Sequence, residues 1–399
     1  MEILAKRFLR HVGQTSPAPM GITVERAEDI YLYTPDGRRY IDLISGVSVS
    51  NVGHSNKAVT EAVKRQADSY MHLMVYGEMI QSPQVDFATA ILRHTPEAID
   101  CLYFVNSGSE AIEGALKLAK RYTGRTELIS FRNAYHGSTH GALSMMGSEY
   151  YKSAFRPLLP DVRQITFDDI ASLDAVTERT AAVLIEPVQG EGGYFASSPE
   201  FLSALRNRCD RTGAMLIFDE IQSGFGRTGN IFAWECYGIA PDIICMAKAM
   251  GGGMPLGGFA ASYEVMKTLT FDPVLGHITT FGGHPVCCAA GLAALKYIED
   301  NALVDAVPDK ERLFRFLLSG LPHLKEIRSV GLMIALDFGD ELLREKVTSE
   351  CVSRGLVTES FLFCPTAMRI APPLTITESQ IREVCAIIVE AVEKVLKNG

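Results

Sequence analysis

Two rhythms of apolar residues alternate through the middle of the chain. Short, nearly uncharged runs rich in β-branched residues recur as CLYFVN (101–106), ELISF (127–131), AAVLIEPV (181–188), AMLIFDE (214–220) and PDIICMAK (241–248), the pattern of strands buried on both faces. Between them the apolar positions take helical spacing. Ala111, Ile112, Ala115, Leu116 and Ala119 form one stripe, and PEFLSALRNRCDRTG (199–213) opens on Pro and closes on Gly, as helices do. Strand, helix, strand in repetition predicts an α/β protein with a mostly parallel central sheet covered by helices. Ligands of such sheets bind beyond the carboxyl ends of the strands. That rule nominates Asn106–Glu110, Glu186–Glu191, Asp219–Gln222 and Lys248.

The ends of the chain read differently. DIYLYTPDGRRYIDL (29–43) predicts a hairpin about a Pro-Asp-Gly turn. The last hundred residues hold two long helical patterns, around 308–319 and 378–396, flanking short strand candidates such as LMIALDF (332–338). The expected organisation is an N-terminal segment (1–50) packing with a smaller α+β domain (301–399), and a large domain over 51–300. No repeat or low-complexity linker interrupts it.

Composition narrows the function classes. A hydrophobic share of 47% with 21% charged residues is ordinary for a globular chain. A net charge of −9 argues against broad nucleic-acid binding and against an anionic membrane surface. No apolar run approaches the length of a membrane span, and the start, MEILAKRFLR, is amphipathic and unlike a secretory leader. Nine cysteines show no C-x-x-C spacing, and Cys287 and Cys288 are adjacent. They fit small apolar core residues in a reducing cytoplasm better than a disulfide or zinc framework.

Chemistry enters with DIICMAKAMGGG (242–253). Lys248 closes a buried run, where desolvation disfavours the charged form of an amine. Either the side chain reaches back to water, or the amine is meant to be neutral and nucleophilic, as Schiff-base lysines are. NSGSEA (106–111) joins a strand end to a helix start, with Ser107 and Glu110 in capping positions. It is either an ordinary strand–helix turn or an anion site at a helix N-terminus; it matches neither a P-loop nor a dinucleotide fingerprint. Asp219, at the end of LIFD, needs a cationic partner. Arg227 is one candidate and a protonated ring nitrogen is the other. At an effective dielectric of about 20, a contact of ~4 Å is worth roughly 4 kcal/mol, enough to keep a weakly basic pyridine protonated at neutral pH. Lysine, aspartate and helix start together suggest pyridoxal 5′-phosphate. His136 and His140, four apart, are the only metal-like spacing, and no third ligand lies near them in sequence.

With these residues in place the chain resembles the class III aminotransferases, pyridoxal-phosphate enzymes of fold type I in the acetylornithine, ornithine and 4-aminobutyrate group. The resemblance runs from about residue 20 to 373. It rests on LIFDEIQSGFGRTG, PDIICMAKAMGGGMPLGG, FVNSGSEAIEGALKLAK, FRNAYHGST, EPVQGEGG, TTFGGHP and MRIAPPLT, in that family's order, with Asp219 lying 29 positions before Lys248.

The resemblance implies a role for each matched position. Lys248 is the Schiff-base lysine and Asp219 the partner of the ring nitrogen. Gly108 and Ser109 give backbone donors to the phosphate, Tyr135 stacks on the ring, and Gln222 lies near the ring hydroxyl. Thr280 reaches the phosphate of a neighbouring subunit, which implies a homodimer with shared sites. Arg369 binds the substrate α-carboxylate, and Glu191 is the gate that pairs with it while an ω-amine is processed. Without the resemblance, Tyr135 reads equally well as core packing and Arg369 as a surface residue. The implied reaction is ping-pong transfer of an amino group from an acetylornithine- or ornithine-like donor to a 2-oxo acid such as 2-oxoglutarate.

The chain also departs from the family. Ser138 in YHGST stands where relatives that use dicarboxylates often carry an arginine, and a hydroxyl cannot replace a bidentate guanidinium. The two active-site tyrosines of the ornithine branch fall at Pro17 and Val47, and His284 replaces a common asparagine. Three rivals stay in view: a transaminating decarboxylase of the dialkylglycine type, a 4-aminobutyrate or diamine aminotransferase, and a non-catalytic binding protein on the same fold.

Overall fold

The computed structural model describes residues 2–398. Seven strands form the large sheet: β1 (Cys101–Val105), β2 (Glu127–Phe131), β3 (Val162–Ile165), β4 (Thr180–Ile185), β5 (Met215–Asp219), β6 (Ile243–Met246) and β7 (Gly257–Ala261). Their spatial order is β1-β7-β6-β5-β4-β2-β3. Every neighbouring pair is parallel except those made by β7, which runs antiparallel to β6 and β1. Six strands therefore end at one edge of the sheet.

Side chains alternate across this sheet. Ile217 packs with Ile112, Ala115, Leu116 and Ala119 of helix α1 (Gly108–Thr123) on one face, while Phe218 packs with Phe201 and Leu205 of α2 (Pro199–Thr212) on the other. Both predicted helices form, and each stops on a left-handed glycine: α2 at Gly213 as expected, and α1 at Gly124. Farther along the second face, Phe87 and Ile91 of the helix Ser82–Leu92 and Leu295 of α3 (Pro285–Asp300) cover Ile244, Met246 and Ala260.

Strands β3 and β7 have no counterpart in the apolar pattern. VRQI is half polar, and GGFAA presents one large side chain behind a run of glycines. β7 is legible only in three dimensions. A Cβ at Gly114 of α1 would lie 2.2 Å from Phe259 Cε1, so the helix sits on β7 through a contact that only glycine permits.

The hairpin about Pro35–Gly37 forms as predicted, with Tyr31–Tyr33 antiparallel to Arg39–Asp42. Its outer strand then pairs in parallel with Leu356–Val357, more than 300 residues later. Ile30, Ile41 and Leu43 share one core with Leu336, Ile370 and Ile388. There β8 (Glu326–Val330), β9 (Met333–Asp337) and β10 (Ala367–Ile370) form an antiparallel sheet. Helices Val307–Leu318 and Glu378–Asn398 cover this core at the two predicted positions. A third, Glu341–Ser353, has only Val347 and Cys351 fully buried and leaves little stripe to read. Among the described residues no helix is long and apolar enough to cross a membrane.

Candidate active site

A cavity of about 490 Å³ opens beyond the carboxyl ends of β1, β4, β5 and β6. It is lined by Gly108, Ser109, Tyr135, Glu191, Asp219, Gln222 and Lys248, together with Val49, Asn106, His136, Glu186 and Met254. Seven residues nominated from sequence, spread over 140 positions, thus meet in one place. Two others do not line it. Thr280 is exposed, its carbonyl accepting from His72 Nε2 at 2.8 Å. Arg369 is buried behind Glu191 rather than at the cavity surface.

Lys248 follows β6 by two residues in a left-handed conformation, φ +52°, which a side chain adopts only when its surroundings enforce it. The glycines after it let the chain turn. Gly252, φ +59°, packs so closely on the next helix that a Cβ would lie 2.9 Å from Ala290 O. No acceptor is bonded to the Lys248 amine among the described residues. Burial lowers its pKa, with Glu191 and Asp219 pulling the other way.

Asp219 ends β5. Its Oδ1 accepts from Ile221 N at 3.0 Å, and its Oδ2 lies 2.7 Å from His136 Nδ1. The arginine option for this carboxylate is overturned. Arg227 is fully buried and donates instead to Leu332 O, Pro372 O, Ser45 Oγ and Asn51 Oδ1. His136 is turned to Asp219 rather than paired with exposed His140, and among the described residues no group of three His, Cys, Asp or Glu side chains could hold a metal ion. His136 sits in the loop after β2, where no local period marks which way a side chain turns.

At the start of α1, Ser107 Oγ accepts from Glu110 N at 3.2 Å. Glu110 returns to Asn106, accepting from its backbone N at 2.6 Å and from Nδ2 at 2.8 Å. The carboxylate thus reaches one residue beyond the expected capping box. Gly108 and Ser109 keep their amides at the cavity end of a four-turn helix, where an anion is stabilised. Gly137, φ +129°, lies so close over this turn that a Cβ would be 2.2 Å from Ser109 Oγ.

Glu191 Oε2 sits 2.7 Å from Arg369 Nη2 and also accepts from Leu362 N at 3.2 Å. Burial alone would raise its pKa, but Arg369 more than offsets this and holds it below the usual carboxylate range. Arg369 is itself packed over the rings of Phe361 and Tyr194, and its Nε and Nη1 have no hydrogen-bond partner.

The donor set fits pyridoxal phosphate. An unbonded amine meets the need of an aldehyde, and a buried carboxylate with no lysine or arginine in contact meets that of a ring nitrogen. A helix start suits the phosphate. Gln222 Oε1, buried and without a partner, is an acceptor left over for a ring hydroxyl.

Fold and cavity together define a pyridoxal-phosphate transaminase. The family described as aminotransferase class-III matches residues 12–392. Acetylornithine aminotransferase of Methanocaldococcus jannaschii is 37% identical over 371 residues, covering 90% of each chain. That of Bacillus subtilis is 36% identical over 376 residues, 93% of this chain and 95% of its own. Among solved structures, ornithine aminotransferase from Toxoplasma gondii, described with partial occupancy of PLP, superposes with a TM-score of 0.92 at 28% identity, covering all of this chain and 95% of that one. The chain belongs to the class III aminotransferase family, and its cofactor is pyridoxal 5′-phosphate.

Proposed function

We propose that the protein transfers the ω-amino group of an N-acetylornithine- or ornithine-like donor to 2-oxoglutarate in two half-reactions. The observation that carries this reading is the Glu191–Arg369 pair, a carboxylate at the cavity closing a buried guanidinium. With the pair closed, a donor entering by its ω-amine meets no exposed cation at that wall. With it open, Arg369 offers the α-carboxylate of the 2-oxo acid a bidentate partner.

Pyridoxal phosphate, when bound, supplies the aldehyde carbon and an electron-accepting ring. Lys248 holds the cofactor in the resting enzyme, and its amine, neutral once freed, takes a proton from the donor carbon and gives it back on the other side of the transfer. Asp219, oriented by His136, keeps a proton on the ring nitrogen. Gly108 and Ser109 would donate to the cofactor's phosphate, Tyr135 would cover its ring, and Gln222 would meet its hydroxyl. Ser138, exposed and 3.2 Å from Tyr135 Oη through its own hydroxyl, gives the donor's far end a polar but uncharged contact.

Thr280 acts across a homodimer, to which exposed Met71, Leu73, Met74, Ile278 and Phe281 contribute an apolar face. His72 ties the two segments of this face together through Thr280 O and the Phe281 ring, 4.9 Å away. The nine cysteines are all free, which suits a cytoplasmic location.

The test is the cofactor's absorbance under single additions of N-acetylornithine, ornithine, 4-aminobutyrate, lysine, putrescine and β-alanine. One donor should bleach the long-wavelength band and 2-oxoglutarate should restore it. A band that no donor bleaches would favour the decarboxylase alternative.

A further inference from the structure

Two walls of the cavity hang from one carboxylate. Glu186 follows directly on β4 and is buried. Its Oε1 accepts from Tyr135 N at 3.0 Å and its Oε2 from Gly190 N at 2.8 Å. One amide leads to the Tyr135 ring and to His136, which is bonded to Asp219. The other immediately precedes Glu191, in a turn packed so tightly that a Cβ at Gly190 would lie 2.6 Å from Gln222 Nε2.

The chemistry of this carboxylate is unusual for a structural group. Among the described residues no lysine or arginine is bonded to it. The charges that face it are His136, Asp219 and Lys248, and burial pushes it up to about 7. A carboxyl kept under that desolvation is retained for what it grips. Each oxygen receives one backbone N–H, so the carboxylate spans two segments of the chain at once. A glutamine could accept from only one amide and would set its own NH₂ against the other.

We propose that Glu186 is a positioning residue that locks the Tyr135 wall and the Glu191 gate into one unit, so that movement of the gate away from Arg369 is transmitted to the cofactor face. This rests on the reading of Tyr135 and Glu191 given above.

The experiment is hydrogen exchange, by mass spectrometry, of the holoenzyme with and without glutarate, a dicarboxylate that lacks the keto group and cannot react. In the unaltered protein, segments 132–137 and 187–192 should change together. In Glu186→Gln glutarate should move 187–192 alone, and the cofactor's dissociation constant, read by absorbance titration of the apoprotein, should rise roughly 10–100-fold. Glu186→Asp, one methylene too short to span both amides, should uncouple the segments in the same way while keeping the charge. The proposal is overturned if 187–192 responds in the unaltered protein while 132–137 does not, a comparison that needs no variant to fold. It is equally overturned if E186Q leaves the coupling and the cofactor affinity intact. If glutarate moves neither segment, the gate reading fails, and the proposal falls with it for that separate reason.

Discussion

Glu191 and Arg369 lie 178 residues apart in sequence, yet their side chains meet at 2.7 Å, with two nitrogens of the guanidinium left without hydrogen-bond partners. A buried cation hydrogen-bonded to one carboxylate, with a second, Glu359, only at 3.8 Å, has donors to spare, and an incoming carboxylate can compete for it. Breaking a buried pair by removing one partner costs about 3–5 kcal/mol. Arg369→Ala should therefore lower kcat/KM for the 2-oxo acid by roughly 10²–10⁴-fold. Glu191→Gln should lower the acceptor's KM, since the guanidinium then stands open. Stopped-flow measurement of the separate half-reactions checks both. Equal slowing of the two half-reactions in Arg369→Ala would remove the gate from the mechanism.

His136 is the only side chain bonded to Asp219 among the described residues. His136→Ala should leave the carboxylate short of one donor, a loss of about 1–3 kcal/mol, and weaken cofactor retention by roughly tenfold or more. His136→Asn, whose amide can donate from near the Nδ1 position, should recover part of it. Cofactor titration of the two variants decides the matter; no difference between them would mean that His136 acts by filling space.

Arg227 carries a charge into the core without a carboxylate to meet it, and burial pulls its pKa down to about 10. Its acceptors belong to the 45–51 segment, the entry to β9 and the chain just beyond β10, so one guanidinium pins three segments. Arg227→Lys, a point charge in place of a planar fork, should lose about 2 kcal/mol of stability, and Arg227→Ala about 3–5 kcal/mol. Denaturant unfolding measures both. If Arg227→Lys unfolds like the unaltered protein, the fork geometry is not what holds these segments.

Burial depresses the Lys248 pKa below its ordinary 10.5. Between the depressed value and 10.5 the unfolded chain binds this proton more readily than the folded one, so the linked stability rises with pH through that window. In the apoprotein, acylation of Lys248 followed by peptide mass spectrometry should show a midpoint below that of exposed lysines such as Lys64. A midpoint shared with the surface lysines would falsify the desolvated-amine account.

Gly114 offers a control remote from the chemistry. Gly114→Ala forces a methyl against the Phe259 ring and should destabilise by about 1–3 kcal/mol without altering the absorbance of bound cofactor. A neutral effect on the melting curve would mean that α1 can lift from β7 freely.

Five central strands, two helices of the large sheet and the hairpin were legible because each carries a local period or a turn signal. Hidden elements lack one. GGFAA has no alternation, and Glu341–Ser353 buries too little to show a stripe. The site was legible for a different reason: LIFD ends on Asp219, and CLYFV and IICM are followed within two residues by Asn106 and Lys248, polar groups that an apolar strand has no use for. His136 was left without a role, because its only local signal was the four-residue spacing to His140 and its partner, Asp219, lies 83 residues away.

The identity of five of the seven strands, the shared edge and the presence of an amine, a carboxylate and a helix start at that edge followed from the sequence alone, since local burial patterns and strand ends are local properties. Which groups pair did not. Asp219 takes His136 rather than Arg227, and Arg227 takes neutral backbone and side-chain oxygens; only the Glu191–Arg369 pair had been implied, by the family resemblance. Those choices depend on which side chains converge after segments hundreds of residues apart have packed, and a short-range interaction between charges has no signature in the one-dimensional order of the chain.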